Sequence, residues 1–268
     1  MHRSTLAAAV LAALAFAGAP ALAAVQIDSV DTVYTQDFDG LAASGSSLAW
    51  ANDGTLPGWS LFNAAGAAVG SYRADNGGSN AGSFYSFGTG GSGERALGGT
   101  GSGGSYFGSP ASGSVAGWIA VAFENATGSA LAGFTLAFDG EQWRNGGNTS
   151  AQAMVLEYGL GGSFGGVAQW LAAGAGFDWT SPVTGSSGAA VDGNAAGKVA
   201  GLGGSVALDW AAGQTLWLRW TELNDAGNDH GLAIDDLSFS VTPVPEPGTY
   251  ALLLSGLLAI GAYARRRG

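Results

Sequence analysis

Short aromatic and β-branched runs recur along the middle of this sequence, separated by clusters of glycine, asparagine and serine. Residues 114–124 alternate small and large side chains, with Val115, Trp118, Val121 and Phe123 as the large ones, and Asn125-Ala126-Thr127-Gly128-Ser129 follows. Alternation at every second residue is the period of a strand, and Gly, Asn and Ser supply the backbone conformations that tight turns need. Residues 131–144 and 151–159 are the next two runs, and Asn145-Gly146-Gly147-Asn148 between them predicts a hairpin. Further strands are expected at 33–39, where Tyr34 and Phe38 share a face, and after the turn at Leu56-Pro57-Gly58. Others are expected at 84–88, 94–98, 177–180, 197–208, 215–223 and 232–241. No long apolar stripe at helical spacing interrupts this series. The expected fold class is all-β, a jelly-roll-like β-sandwich.

The 48 glycines and 11% charged residues would suit a disordered chain, but 9 Trp, 12 Phe and 7 Tyr would not. With no cysteine there is no disulfide framework, so core burial or a metal ion must hold the sandwich. The formal charge of −11 repels phosphate backbones, and nucleic acid is not an expected partner.

Both ends differ from the middle. His2 and Arg3 precede an apolar stretch at 6–16, then Ala21-Leu22-Ala23, the three parts of a signal peptide over residues 1–24. The sandwich is then expected over 25–242 and a tail over 243–268. That tail begins Val244-Pro245-Glu246-Pro247-Gly248, continues as an apolar run over 250–263, and ends Arg265-Arg266-Arg267. Arginines beyond an apolar segment hold its end on the cytoplasmic side. The run is shorter than the roughly 20 residues of a comfortable bilayer span, so it predicts a transient inner-membrane helix rather than a permanent anchor.

Pro-Glu-Pro, a brief apolar helix and an arginine cluster, in that order at the terminus, resemble the PEP-CTERM sorting signal of bacterial exported proteins. The resemblance implies signal peptidase and exosortase as processing partners, cleavage near Pro-Glu-Pro, and release to the cell surface or an extracellular polysaccharide matrix. Inside the domain, Gln36-Asp37-Phe38-Asp39-Gly40-Leu41, Leu56-Pro57-Gly58-Trp59, Glu94-Arg95-Ala96-Leu97-Gly98, Gly140-Glu141-Gln142-Trp143-Arg144 and Gly231-Leu232-Ala233-Ile234-Asp235-Asp236 resemble a recurring domain of such proteins. The ending Ala-Ile-Asp-Asp-Leu-Ser-Phe also resembles the last strand of MAM-like and carbohydrate-binding jelly rolls. These resemblances imply a β-sandwich and bring no catalytic residue with them.

The side-chain inventory narrows the chemistry. Beyond residue 24, His230 is the only histidine and Lys198 the only lysine. A Ser-His-Asp triad would need His230, which sits in a turn far from any nucleophile elbow and reads better as a solvated loop residue. Asp225, Asn228, Asp229, Asp235 and Asp236 offer hard oxygens of the kind Ca²⁺ selects. If the first and last strands lie side by side, Asp37 and Asp39 approach them, and the expected calcium set is Asp39, Asp225, Asp229 and Asp236. A solvated Asp/Asn turn is the competing reading. Asp235 and Asp236 point to opposite faces of a strand. Glu141, Glu157 and Glu222 are the carboxylates a glycoside hydrolase would use, against ion pairing of Glu141 with Arg144 or Arg219. Trp143, Trp170, Trp179, Trp217 and Trp220 are candidate sugar-stacking rings or core residues, and of Trp217 and Trp220, on opposite faces, one is expected to be less buried. The expectation is a non-enzymatic, structural or adhesive exported protein. A carbohydrate-binding module, with or without Ca²⁺ support, is the alternative, and a glycoside hydrolase a remote one.

Overall fold

The computed structural model describes residues 24–245, together with Tyr263, Arg265 and Arg266. Residues 1–23 of the expected signal peptide, most of the apolar tail, and Glu246, Pro247 and Arg267 of the sorting motif lie outside the described residues. Among those described, the alternating runs have become strands. They are β1 (Val25–Ile27), β2 (Val33–Gln36), β3 (Gly45–Ala49), β4 (Trp59–Asn63), β5 (Ser71–Asp75), β6 (Ser83–Phe87), β7 (Ala96–Thr100) and β8 (Ser114–Asn125). After them come β9 (Leu131–Asn145), β10 (Ala153–Leu160), β11 (Leu171–Ala172), β12 (Trp179–Thr180), β13 (Ala189–Ala190), β14 (Lys198–Trp210), β15 (Thr215–Asn224) and β16 (Gly231–Pro243).

Two sheets result. One runs β1-β8-β15-β10-β11, with β4 on β8 and β12 on β10; the other runs β13-β9-β16-β7-β6-β5-β3, with β14 on β9 and β2 on β16. Most pairs are antiparallel; β1 with β8 and β5 with β6 are parallel. The sheets meet through aromatic rings. Phe123 of β8 stacks on Phe239 of β16 at 3.8 Å, and Trp220 of β15 meets Phe138 of β9 edge-on at 5.5 Å. Trp59, Trp220, Phe123, Phe138 and Phe239 are all buried, so the layer between the sheets is the core of an all-β, jelly-roll-like sandwich.

The chain ends pair as expected: β2 runs antiparallel along β16, with Thr35 opposite Ser238. The extended run proposed for 33–39 is shorter, because Phe38 takes a left-handed conformation (φ 56°) and drops its ring into the core against Trp59. The hairpin expected across Asn145-Gly146-Gly147-Asn148 does not form. β9 and β10 belong to different sheets, and the turn carries the chain from one to the other. Its hydrogen bonds go to the distant 225–230 loop instead: Gly146 donates to His230 Nδ1 at 2.9 Å, and Asn148 Nδ2 to the carbonyls of Ala226 and Asn228.

β7 is squeezed between β6 and β16 and needs its glycines. A Cβ at Gly98 would lie 2.2 Å from the Leu232 carbonyl oxygen, so only glycine lets β16 come this near. That close approach holds the end of the Glu94-Arg95 segment against β16.

Candidate functional site

Glu141 on β9 stands opposite Ala233 of β16, and Asp235 lies two residues further along the same face. This is the face of the nine-stranded sheet turned away from the sandwich core. Tyr85, Phe87, Ala96, Trp143 and Ala233 build a small second core there. The segment around Gly193 covers it, packed so closely on the Trp143 indole that a Cβ at Gly193 would touch the ring at 2.4 Å. Glu94, at the end of the loop leading into β7, brings a third carboxylate. One oxygen from each of Glu94, Glu141 and Asp235 lies within 4.8 Å of one from each of the others. Glu141 and Asp235 are buried, at 0% and 3% exposure, and Glu94 is half-buried.

The protein satisfies only part of this group. Trp143 Nε1 donates to Glu141 Oε2 at 2.9 Å, and Asn194 Nδ2 donates to Glu94 Oε2. Among the described residues nothing donates to Glu94 Oε1, Glu141 Oε1 or Asp235 Oδ1, all of them buried. Burial pushes the Asp235 carboxyl up to about 9, helped by the Glu141 charge and a hydrogen bond with Glu94. Burial also pushes Glu141 up to about 7 against the opposing Trp143 N–H. Like charges held this close disfavour ionising all of these carboxyl groups together. The nearby cations make their hydrogen bonds and ion pairs with other groups, although Arg95 Nη1 has no hydrogen-bond partner among the described residues. Lys198 Nζ pairs with Asp139 at 2.8 Å and reaches Asp236 at 3.6 Å, while the Arg95 guanidinium donates to Ser86 Oγ at 2.8 Å and to the Ser86 carbonyl.

The carboxylates picked out from sequence fall in two places. Asp225 and Asp229 lie together in the loop between β15 and β16, where the Asp225 N–H donates to Asp229 Oδ1 at 2.6 Å. Burial raises both, Asp229 to about 7. Asp229 borders a polar cleft of about 320 Å³ lined also by Asn80, Ser102, Arg144, Asn224 and Asn228. Asp39 and Asp236 sit instead around the buried carboxylates. Asp39 Oδ1 accepts the N–H of Arg95, and Asp236 is exposed on the strand face opposite buried Asp235. The first five residues of β16 separate Asp236 from the Asp225–Asp229 loop.

His230 is not solvated. It is 1% exposed, with Nδ1 taking the Gly146 N–H and Nε2 at 3.2 Å from the Ser150 carbonyl, and burial lowers its pKa. The three glutamates do not share a groove. Glu222 faces inward, close enough to Gly99 that a Cβ there would meet its carboxyl carbon at 3.0 Å. Glu157 lies on the outer face of the seven-stranded sheet, paired with Arg219 at 2.7 Å. The ion-pair reading of Glu141 fails as well, since Arg144 donates to the carbonyls of Gly77 and Gly78.

That outer face holds the second feature. Trp217 and Trp220 do point to opposite faces, yet both are buried, at 1% and 0% exposure. Trp217 is covered because residues 161–170 fold back over the sheet: Phe164 reaches Phe62, and Trp217 Nε1 donates to the Gly161 carbonyl at 3.0 Å. At the rim of this cluster, the Arg219 guanidinium lies 3.9 Å from the Trp170 ring centre and 4.7 Å from that of Trp118. Both rings are half-buried. Trp143 and Trp179 are buried, so of the five tryptophans named from sequence Trp170 is the most accessible.

Solved structures that resemble this fold include two from one protein. One is the CBM22-1 xylan-binding domain of Paenibacillus barcinonensis Xyn10C, at 12% identity and a TM-score of 0.35, covering 76% of this chain and 100% of that one. The other is the N-terminal CBM22-1-CBM22-2 tandem domain of the same protein, at 13% identity and a TM-score of 0.35, covering 77% of this chain and 49% of that one. No curated protein matches the chain. Among the described residues no helix is long and apolar enough to cross a membrane. The tail matches a protein family directly: residues 243–267 fit the PEP-CTERM protein-sorting motif. The chain therefore carries the sorting signal of an exported protein handled by exosortase at the membrane.

Proposed function

We propose that this is a non-catalytic, structural or adhesive β-sandwich, delivered to the cell surface or extracellular matrix after two cuts. Signal peptidase removes residues 1–24, and exosortase cuts near Val244-Pro245-Glu246-Pro247, with the arginine cluster at 265–267 held on the cytoplasmic side. What carries the reading is where the fold stops. β16, flanked on both edges, runs to Pro243, and the matched sorting motif starts at residue 243. A cut there removes the tail and takes nothing from the sandwich. The test is to fractionate producing cells with and without exosortase. A shorter form at the surface or in the matrix with the enzyme, and a longer membrane-associated form without it, is the expected result. Identical size and location in both would sink the proposal.

The Trp118–Arg219–Trp170 group favours a second reading, in which the same sandwich holds matrix polysaccharide. A pyranose offers an apolar C–H face to an indole and hydroxyl edges to a guanidinium or carboxylate. Trp170, Arg219 and Glu157 present those three chemistries side by side. Co-sedimentation with the producing cell's polysaccharide should retain the wild-type chain and lose Trp170→Ala. Equal retention of the two would remove this face from the reading.

A further inference from the structure

We propose that Glu94, Glu141 and Asp235 form a binding site for a divalent cation of the calcium class. The donor set is wholly carboxylate oxygen, which selects hard cations. Two oxygens bound to one calcium at about 2.3–2.6 Å stand at most about 5 Å apart, and these three groups place oxygens within 4.8 Å of one another. Three carboxylates in a row do not by themselves make a site. The further observation is that each keeps one buried oxygen that takes no N–H or hydroxyl donor among the described residues, and that Glu141 and Asp235 are almost wholly withdrawn from water. Buried polar atoms nearly always have partners, and an acceptor-only group finds one in a cation or a proton.

Charge points the same way. Glu94, Glu141, Asp235, Asp236 and Asp139 carry five potential negative charges around this point. Lys198 and Arg95 are the cations at hand, and the first is bound to Asp139 while the second is bound to Ser86. A dication would offset what they leave. Half-buried Glu94 gives it a way in, beside exposed Asn194, and water would complete the coordination of about six to eight oxygens. Bound there, the ion would tie the loop before β7 to β9 and β16 in a chain without disulfides.

Trp143 supplies a readout, because its indole nitrogen lies 2.9 Å from Glu141 Oε2 and can transfer excitation to a lanthanide held by that carboxylate. The full-length chain, stripped with chelator, would be titrated with terbium under tryptophan excitation, and with calcium by calorimetry. One sensitised terbium per chain, displaced by calcium and less readily by magnesium, is expected. Glu94→Gln and Asp235→Asn should each weaken binding about ten-fold or more, and Asp229→Asn, in the separate loop, should leave it unchanged. Absence of emission and of calcium heat up to millimolar concentrations would overturn the proposal. So would an affinity untouched by Glu94→Gln, which alters a half-exposed side chain and keeps the test decisive even if Asp235→Asn does not fold. Loss of binding in Asp229→Asn alone would assign the ion to the other loop.

Discussion

At position 222 a glutamate lies 4% exposed on the inner side of β15, and burial, with the charges of Asp229 and Asp225, holds its pKa well above 4.5. The folded chain thus keeps a proton that the unfolded chain releases above about pH 4.5, and stability falls as pH rises from there toward the folded value. Glu222→Gln removes that dependence. Thermal melts should show the variant more stable than wild type at neutral pH, with the gap closing toward pH 4. A second residue-scale prediction concerns Arg219, whose guanidinium lies against the Trp118 and Trp170 rings and is paired with Glu157. Arg219→Ala should cost about 1–3 kcal/mol in urea unfolding, and Arg219→Lys should recover only part of it, since an ammonium lacks the planar surface of a guanidinium. Burial at this scale was hard to read from sequence. His230 sits in an Asn/Asp-rich loop that looks solvated, and only the fold shows that Gly146 and Ser150, distant in sequence, enclose it. Trp217 lies on what strand alternation marks as an outer face. Its cover, Phe164 in residues 161–170, comes from a glycine-rich loop with no strand pattern of its own.

Among the elements, β16 has the most unusual pairing. Along one edge it pairs with β9 throughout. Along the other it pairs with β7 from Gly231 to Ile234 and with β2 from Leu237 to Ser240. The change of partner coincides with a register shift between Asp235 and Ser238 and with Asp236 in the left-handed region (φ 50°). Aspartate tolerates that conformation and β-branched residues do not. Asp236→Val should therefore cost about 1–2 kcal/mol and Asp236→Gly much less, as chemical denaturation can check. Strand positions were legible because alternation is a local property. β8, β9, β15 and β16 fall within a few residues of their expected runs. Pairing was not legible, because a turn such as Asn145-Gly146-Gly147-Asn148 looks the same whether it joins neighbours in one sheet or crosses between two. The hydrogen bonds that decide the matter come from residues some eighty positions away.

For the whole molecule, the first and last strands of the described chain are both built into the sandwich. β1 begins at Val25 and pairs with β8, and β16 closes at Pro243. Truncation after Pro243 should leave the melting temperature unchanged, whereas a start at residue 37 should lower it by several degrees, because it strips β1 from β8 and β2 from β16. Such long-range pairing also implies slow folding, on the millisecond-to-second scale. The carboxylate group is a property of this scale too. Glu94, Glu141 and Asp235 belong to three separate motifs, each visible in the sequence, and convergence was the missing information. Counting acids in one loop led instead to Asp225 and Asp229. The place of β16 bears finally on force. A pull on the tail acts along β16, whose hydrogen bonds to β9 on one side and to β7 and β2 on the other would have to shear together. An edge strand would peel from its partner one bond at a time. If the tail is held at the membrane before exosortase cuts it, as proposed, a drag on the domain would load the sandwich in its mechanically strong direction.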